Sequence, residues 1–135
     1  HCNPGPEYDS NFWLCTATLD PNLKIKNQEN AYKQVITGAV GGAAGVTHAA
    51  SVAVTDCQPN DNVEALRMAL DAANIESRPL WKPMHKQPVY KNAPAYTNGV
   101  SEALFATGIC LPAGPWVTDD QVRYIVDQIK AAIEK

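Results

Sequence analysis

Arg78, Lys82, His85 and Lys86, with Trp81 and Gln87 among them, crowd into the segment Ile75 to Tyr90, which reads IESRPLWKPMHKQPVY. Guanidinium and ammonium groups pair with phosphate or carboxylate, and an imidazole donates or accepts a proton near neutral pH. An indole offers a flat apolar face on which a sugar or base can stack. Pro79, Pro83 and Pro88 lie in the same stretch. Each proline restricts φ, lacks a donor and biases the residue before it away from helix. The spacing predicts a stiff, extended connector displaying Arg78, Trp81, Lys82, His85 and Gln87. Two readings of it stand open: a recognition segment, or a rigid surface crossover with Trp81 and Met84 plugged into the core.

The elements that must position this connector follow from hydrophobic pattern and capping chemistry. Phe12 to Leu19 (FWLCTATL) is apolar, aromatic and β-branched, and Asp20-Pro21-Asn22 stops it, which predicts a buried strand. Gln28 to Thr37 suits a short helix with Ala31, Val35 and Tyr32 inward. Residues 38–57 are dominated by Gly, Ala and Val, and Gly38, Gly41, Gly42 and Gly45 disfavour helix. No phosphate-loop or dinucleotide-loop spacing occurs there, so the stretch reads as a flexible or packed insert and His48 within it as incidental. Asp61-x-x-Glu64 resembles a capping box, and Val63, Leu66, Leu70 and Ala73 then form one apolar helical stripe ending at Asn74, a left-handed cap. Tyr96 to Thr107 supports a helix through Val100, Ala103 and Leu104, stopped at Gly108. Ile109-Cys110-Leu111 is a short strand ended by Pro112. Thr118-x-x-Gln121 is a second capping box, followed by Val122, Ile125, Val126, Ile129 and Ile133 at helical spacing. Helices over a small, mostly antiparallel sheet make an α+β layer.

With 135 residues the chain has the length of one domain, and 45% hydrophobic with 19% charged residues is ordinary for a globular one. A net charge of −3 provides no pull toward nucleic acid or an anionic membrane. No apolar run approaches the roughly 20 residues of a membrane span, and His1 to Pro6 has neither the basic nor the apolar region of a signal peptide. Cys2, Cys15, Cys57 and Cys110 stand far apart without a C-x-x-C pair, which argues against a metal cluster. Cys15 and Cys110, in strand-like runs, are expected to be buried thiols, and a reduced, cytoplasmic setting is expected.

Arg78-Pro79-Leu80-Trp81-Lys82-Pro83-Met84-His85-Lys86-Gln87-Pro88 resembles the R-P-x-W-K-P-M-H-x-Q-P motif near the C-terminus of the DegT/DnrJ/EryC1/StrS aminotransferases. Ser10 to Leu14 upstream and Ala106 to Gly114 downstream, the latter similar to the family's G-x-x-L-P-[SA]-G, agree in order and spacing. The resemblance covers residues 10–20 and about 60–135; the insert at 38–57 departs from it. It implies the C-terminal small domain of a fold-type-I, pyridoxal-phosphate-dependent transaminase acting on keto-sugar nucleotides. His1 in place of a Met agrees with a chain that is processed or part of a longer one.

The resemblance places the cofactor and its Schiff-base lysine in a large domain that precedes this one. Lys24, Lys26, Lys33, Lys82, Lys86, Lys91, Lys130 and Lys135 all lie outside such a motif, so no catalytic or cofactor-binding residue is assigned here and the isolated chain is expected to be inactive. What the resemblance assigns to this segment is substrate contact. Arg78 and Lys82 would meet a diphosphate, Trp81 would stack on a sugar or base, and His85 would bond a hydroxyl or the cofactor phosphate. Each has a plainer alternative: Arg78 as a cap on the preceding helix, Trp81 as core, Lys82 and Lys86 as solvated charges, His85 held by a backbone carbonyl. The implied partners are a sugar nucleotide, an amino donor and a second subunit in the full enzyme. A non-catalytic binding or assembly module of the same fold is the rival reading, and an enzyme acting on a non-sugar carbonyl is a third.

Overall fold

A computed structural model describes residues 5–11, 13–32 and 58–134. Among them a three-stranded antiparallel sheet, in the order β1-β3-β2, carries three helices. The strands are β1 (Cys15–Thr18), β2 (Arg78–Pro79) and β3 (Gly108–Leu111). The helices are α1 (Asp61–Ala72), α2 (Val100–Thr107) and α3 (Asp119–Ala132). This is the α+β layer expected from the sequence. Cys15 pairs with Leu111 and Thr18 with Gly108 on one edge of β3, while Arg78 pairs with Cys110 and Pro79 with Ile109 on the other.

Helix α1 forms because a good cap meets a well-spaced stripe. Asn60 accepts the Val63 N–H at 2.9 Å, so the cap lies one residue before the expected box. Asp61 is the first helical residue, and Glu64, instead of reaching back, is buried in a forked pair with Arg67 at 2.7 and 3.0 Å. Val63, Leu66 and Leu70 are fully buried, and they assemble with Ile25, Ala31, Ala65, Ile75, Ile109 and Ala132 into one core. Asn74 takes φ 58°, the left-handed stop, and the Ile75 N–H returns to the Leu70 carbonyl at 2.9 Å.

Thr118 and Gln121 make the expected reciprocal capping box at the start of α3. Only part of the predicted apolar face is covered. Ile125, Ile129 and Ile133 pack on the core, whereas Val122 and Val126 are exposed. The end of α3 is tied to the chain before α1: Lys26 N–H bonds the Ala132 carbonyl and Glu134 N–H the Lys24 carbonyl, both at 2.9 Å.

Several expectations are corrected. The strand in Phe12 to Leu19 exists, but it is half-exposed, with Trp13 and Cys15 open to solvent, because β1 is an edge strand with no layer of described residues over its outer face. Cys15 is therefore an exposed thiol and Cys110 a half-buried one, not two core cysteines; burial pushes the Cys110 thiol up. Gln28 to Asn30 is a 3₁₀ turn, with Ala31 buried and Tyr32 half-buried. Residues 33–57, which hold Val35, His48 and the expected insert, lie outside the described residues. Helix α2 begins at Val100 because Gly99 sits at φ 82° and breaks the helical run. Its inward residue is Phe105, while Val100, Ala103 and Leu104 face out.

One polar side chain holds the irregular N-terminal segment on α1. Asn62 is 8% exposed. Its Oδ1 accepts the Ile25 N–H at 3.2 Å and its Nδ2 donates to the Leu23 carbonyl at 2.5 Å. Replacing it strands two buried backbone groups, each costing about 1–3 kcal/mol. Asn62→Ala is expected to lower unfolding free energy by roughly 2–4 kcal/mol, read from urea denaturation; a loss under about 0.5 kcal/mol would show that water replaces both bonds.

Candidate functional site

The two motif segments, some thirty residues apart in the chain, meet as neighbouring strands. Arg78 and Pro79 form β2 against Cys110 and Ile109 of β3, and the Leu80 N–H bonds the Gly108 carbonyl at 3.3 Å. The approach is close enough to require glycine. A Cβ at Gly108 would stand 2.1 Å from Leu80 Cδ1 and 2.6 Å from the Leu104 carbonyl oxygen. At the other end of the second motif Gly114 takes φ 148° under the Trp116 ring, turning the chain from β3 toward α3.

Beyond Pro79 the connector is extended only as far as Pro83. It then folds into two 3₁₀ turns, Met84–Lys86 and Pro88–Tyr90. The prolines explain the departure from a fully extended segment: Pro88 opens the second turn, where its missing N–H costs nothing. Pro83 supplies the carbonyl that takes the Lys86 N–H at 2.9 Å. Gln87 does not face outward as expected; its Nε2 donates to the Lys82 carbonyl at 3.2 Å and cinches the loop.

The loop sorts its side chains into two sets. Lys82 and His85 face α2. The Lys82 ammonium lies 6.0 Å from the centre of the Phe105 ring, and His85 Nε2 is 2.6 Å from Glu102 Oε1. Glu102 and Phe105 are three residues apart and so share one face of that helix. Arg78 and Trp81 do not join them. The Arg78 guanidinium holds Glu76 at 2.5 Å on the surface and does not cap the preceding helix, α1. Trp81 is 66% exposed and Met84 57%, so the reading that plugs both into the core is overturned.

Glu102 was not legible as a site residue. It stands three residues into α2, where a carboxylate is favoured by the helix dipole, and nothing in its local sequence names His85 as its partner. The His85 hydrogen bond, first among several, holds the Glu102 carboxyl below its ordinary value, with Ser101 Oγ on the other oxygen at 3.2 Å.

Residues 23–130 match the DegT/DnrJ/EryC1/StrS aminotransferase family. The chain belongs to that family. It is also similar to the Bacillus subtilis (strain 168) protein named "Putative pyridoxal phosphate-dependent aminotransferase EpsN", with 39% identity over 129 residues. That alignment takes in 90% of this chain but 24% of the relative, so the chain spans about a quarter of the length of the curated relative it matches.

The family member's described lysines do not fit the role of a Schiff-base nucleophile, which needs an enclosed, desolvated amine. Lys24, Lys26, Lys91 and Lys130 are exposed, and Lys82 and Lys86 are half-exposed on the loop. Among the described residues no group of His, Cys, Asp or Glu is arranged to hold a metal ion, and no helix is long and apolar enough to cross a membrane.

Two outcomes are expected. Gly108→Ala should destabilise the chain by about 1–3 kcal/mol through overpacking, measured by thermal unfolding; an unchanged midpoint would mean that Leu80 moves aside freely. The His85–Glu102 bond is linked to pH through a depressed carboxyl. Its contribution is fully present above the ordinary glutamate range of about 4.3 and is lost as pH falls through the lower folded value. In His85→Ala the Glu102 carboxyl should titrate higher than in the parent, read by carboxyl 13C shifts; equal midpoints would remove His85 as the cause.

Proposed function

We propose that this chain is the C-terminal small domain of a pyridoxal-phosphate-dependent transaminase that aminates a keto-sugar nucleotide in the cytoplasm. The full enzyme is a homodimer that also takes an amino donor, and its large domain, outside this chain, holds the cofactor and the reactive lysine. When bound there, pyridoxal phosphate supplies the electron sink for amino transfer. The part played by this chain is to bind and orient the substrate, and on its own it is inactive.

The observation that carries the reading is the sorting of the motif loop. Its backbone is pinned by Leu80, Pro83 and Gln87, yet Trp81 stays exposed. A large apolar ring held open on a rigid loop is suited to stack on a sugar or base. Among the described residues the Arg78 guanidinium is held only by a surface pair with Glu76, an interaction worth roughly 0–1 kcal/mol. A diphosphate, with two charges and fork geometry for guanidinium, competes well for it. Lys82 supplies a second cation on the face of the loop toward α2, and His85 a hydrogen-bonding group for a hydroxyl.

The reading is tested on the intact protein by calorimetric titration with UDP-glucose and dTDP-glucose. Binding of one of them is expected to weaken about tenfold in Arg78→Ala and about fivefold in His85→Ala. If both variants bind as the parent does, the substrate site lies elsewhere. If the intact protein proves to lack any transaminase activity while still binding, the non-catalytic module replaces the enzyme.

A further inference from the structure

His85 and Glu102 form a side-chain pair between the motif loop and α2, Nε2 to Oε1 at 2.6 Å. The contact is partly shielded, with the imidazole 19% and the carboxylate 28% exposed. A carboxylate 2.6 Å from a ring nitrogen accepts a hydrogen from it, so Nε2 carries the proton. In a neutral imidazole only one nitrogen is protonated, and the other is then an acceptor. That other nitrogen, Nδ1, has no hydrogen-bond partner among the described residues.

Glu102 is itself well fixed. It lies in the first turn of α2, whose entry is capped by Asn98 Oδ1 on the Val100 N–H at 3.2 Å. Its second oxygen is occupied by Ser101 Oγ. Through Gly108, α2 runs into the central strand without an intervening loop. The carboxylate thus reaches His85 from a helix continuous with the central strand.

We propose that Glu102 is the positioning residue of the motif loop: by accepting the Nε2 proton it sets the tautomer of His85 and leaves Nδ1 as an acceptor for a hydroxyl of the ligand. This divides the labour along the loop. Arg78 and Lys82 supply donors for anionic oxygens, and His85 supplies an acceptor for a neutral O–H group. A ligand carrying both phosphate and hydroxyl groups satisfies the set; inorganic phosphate alone does not. The tautomer assignment stands on the pair itself, whereas the hydroxyl role rests on the substrate-site reading above.

The test uses the intact protein carrying 15N only in histidine, at a pH about two units above the ordinary imidazole value of about 6.5. Two-bond proton–nitrogen correlations identify which ring nitrogen is protonated. The His85 signal is expected as the Nε2–H form. In Glu102→Gln, whose amide both donates and accepts, and in Glu102→Ala the preference should give way to a mixture, with the circular dichroism spectrum unchanged. A purely structural role for Glu102 would not move the tautomer. An Nδ1–H form in the parent, or full retention of the Nε2–H form in Glu102→Gln, would overturn the proposal.

Affinity provides the second arm. For whichever of UDP-glucose or dTDP-glucose binds, Glu102→Gln should weaken binding in the same direction as His85→Ala, and the double variant should be no weaker than His85→Ala alone. Additive losses would show that Glu102 does not act through His85. If His85→Ala leaves affinity unchanged, the substrate-contact reading falls and the tautomer result still decides the pairing.

Discussion

Among the described residues β3 is the only strand bonded on both edges, and it begins at the residue after α2 ends. At that junction Gly108 must pair with β1, accept the Leu80 N–H and let the Leu80 side chain lie where a Cβ would be. No other residue type meets all three demands without shifting a neighbour. Because helix and strand join there without slack, the rotation of α2 is determined by the sheet. That rotation is what puts Glu102 under His85 and Phe105 under Lys82. The close approach at Gly108 therefore decides where the functional loop sits as well as that it is held.

The parts of the domain away from that junction are held by polar groups satisfied inside irregular backbone. Asn62 serves the Leu23 to Ile25 segment, and the C-terminal end of α3 serves Lys24 to Lys26. Tyr32 donates to the Pro59 carbonyl, and burial, with Glu64 and then Asp61 nearby, pushes its hydroxyl well above the ordinary phenol value. Such groups are costly if left unpaired, so they define one arrangement of chain that apolar burial alone would leave loose. The same reasoning applies at the site. His85 through Nε2, and Gln87 through its amide, bond to the domain's own groups, which orders the loop before any ligand arrives.

Much of this was legible along the chain. The stripe of Val63, Leu66 and Leu70, the Asn74 stop and the Thr118–Gln121 box are local features, decided within one or two turns of backbone. The motif around Trp81 was legible for a different reason: its residue types and order match those of a family. The errors share a physical cause. Periodicity says that Val122, Val126, Leu104 and Cys15 lie on an apolar face or strand. It does not say whether another layer reaches that face, and among the described residues it does not.

The sequence by itself determined the caps, the helical stripes, the Gly and Pro punctuation and membership in the DegT/DnrJ/EryC1/StrS family, because each depends on residues close together or on their order. Only the tertiary structure decided that the two motif segments are paired strands, that Trp81 faces out and that His85 takes Glu102, seventeen residues away, as its partner. Those choices depend on distances between elements. Such distances are settled by how close Leu80 can come to a backbone without a side chain, a quantity no local pattern encodes.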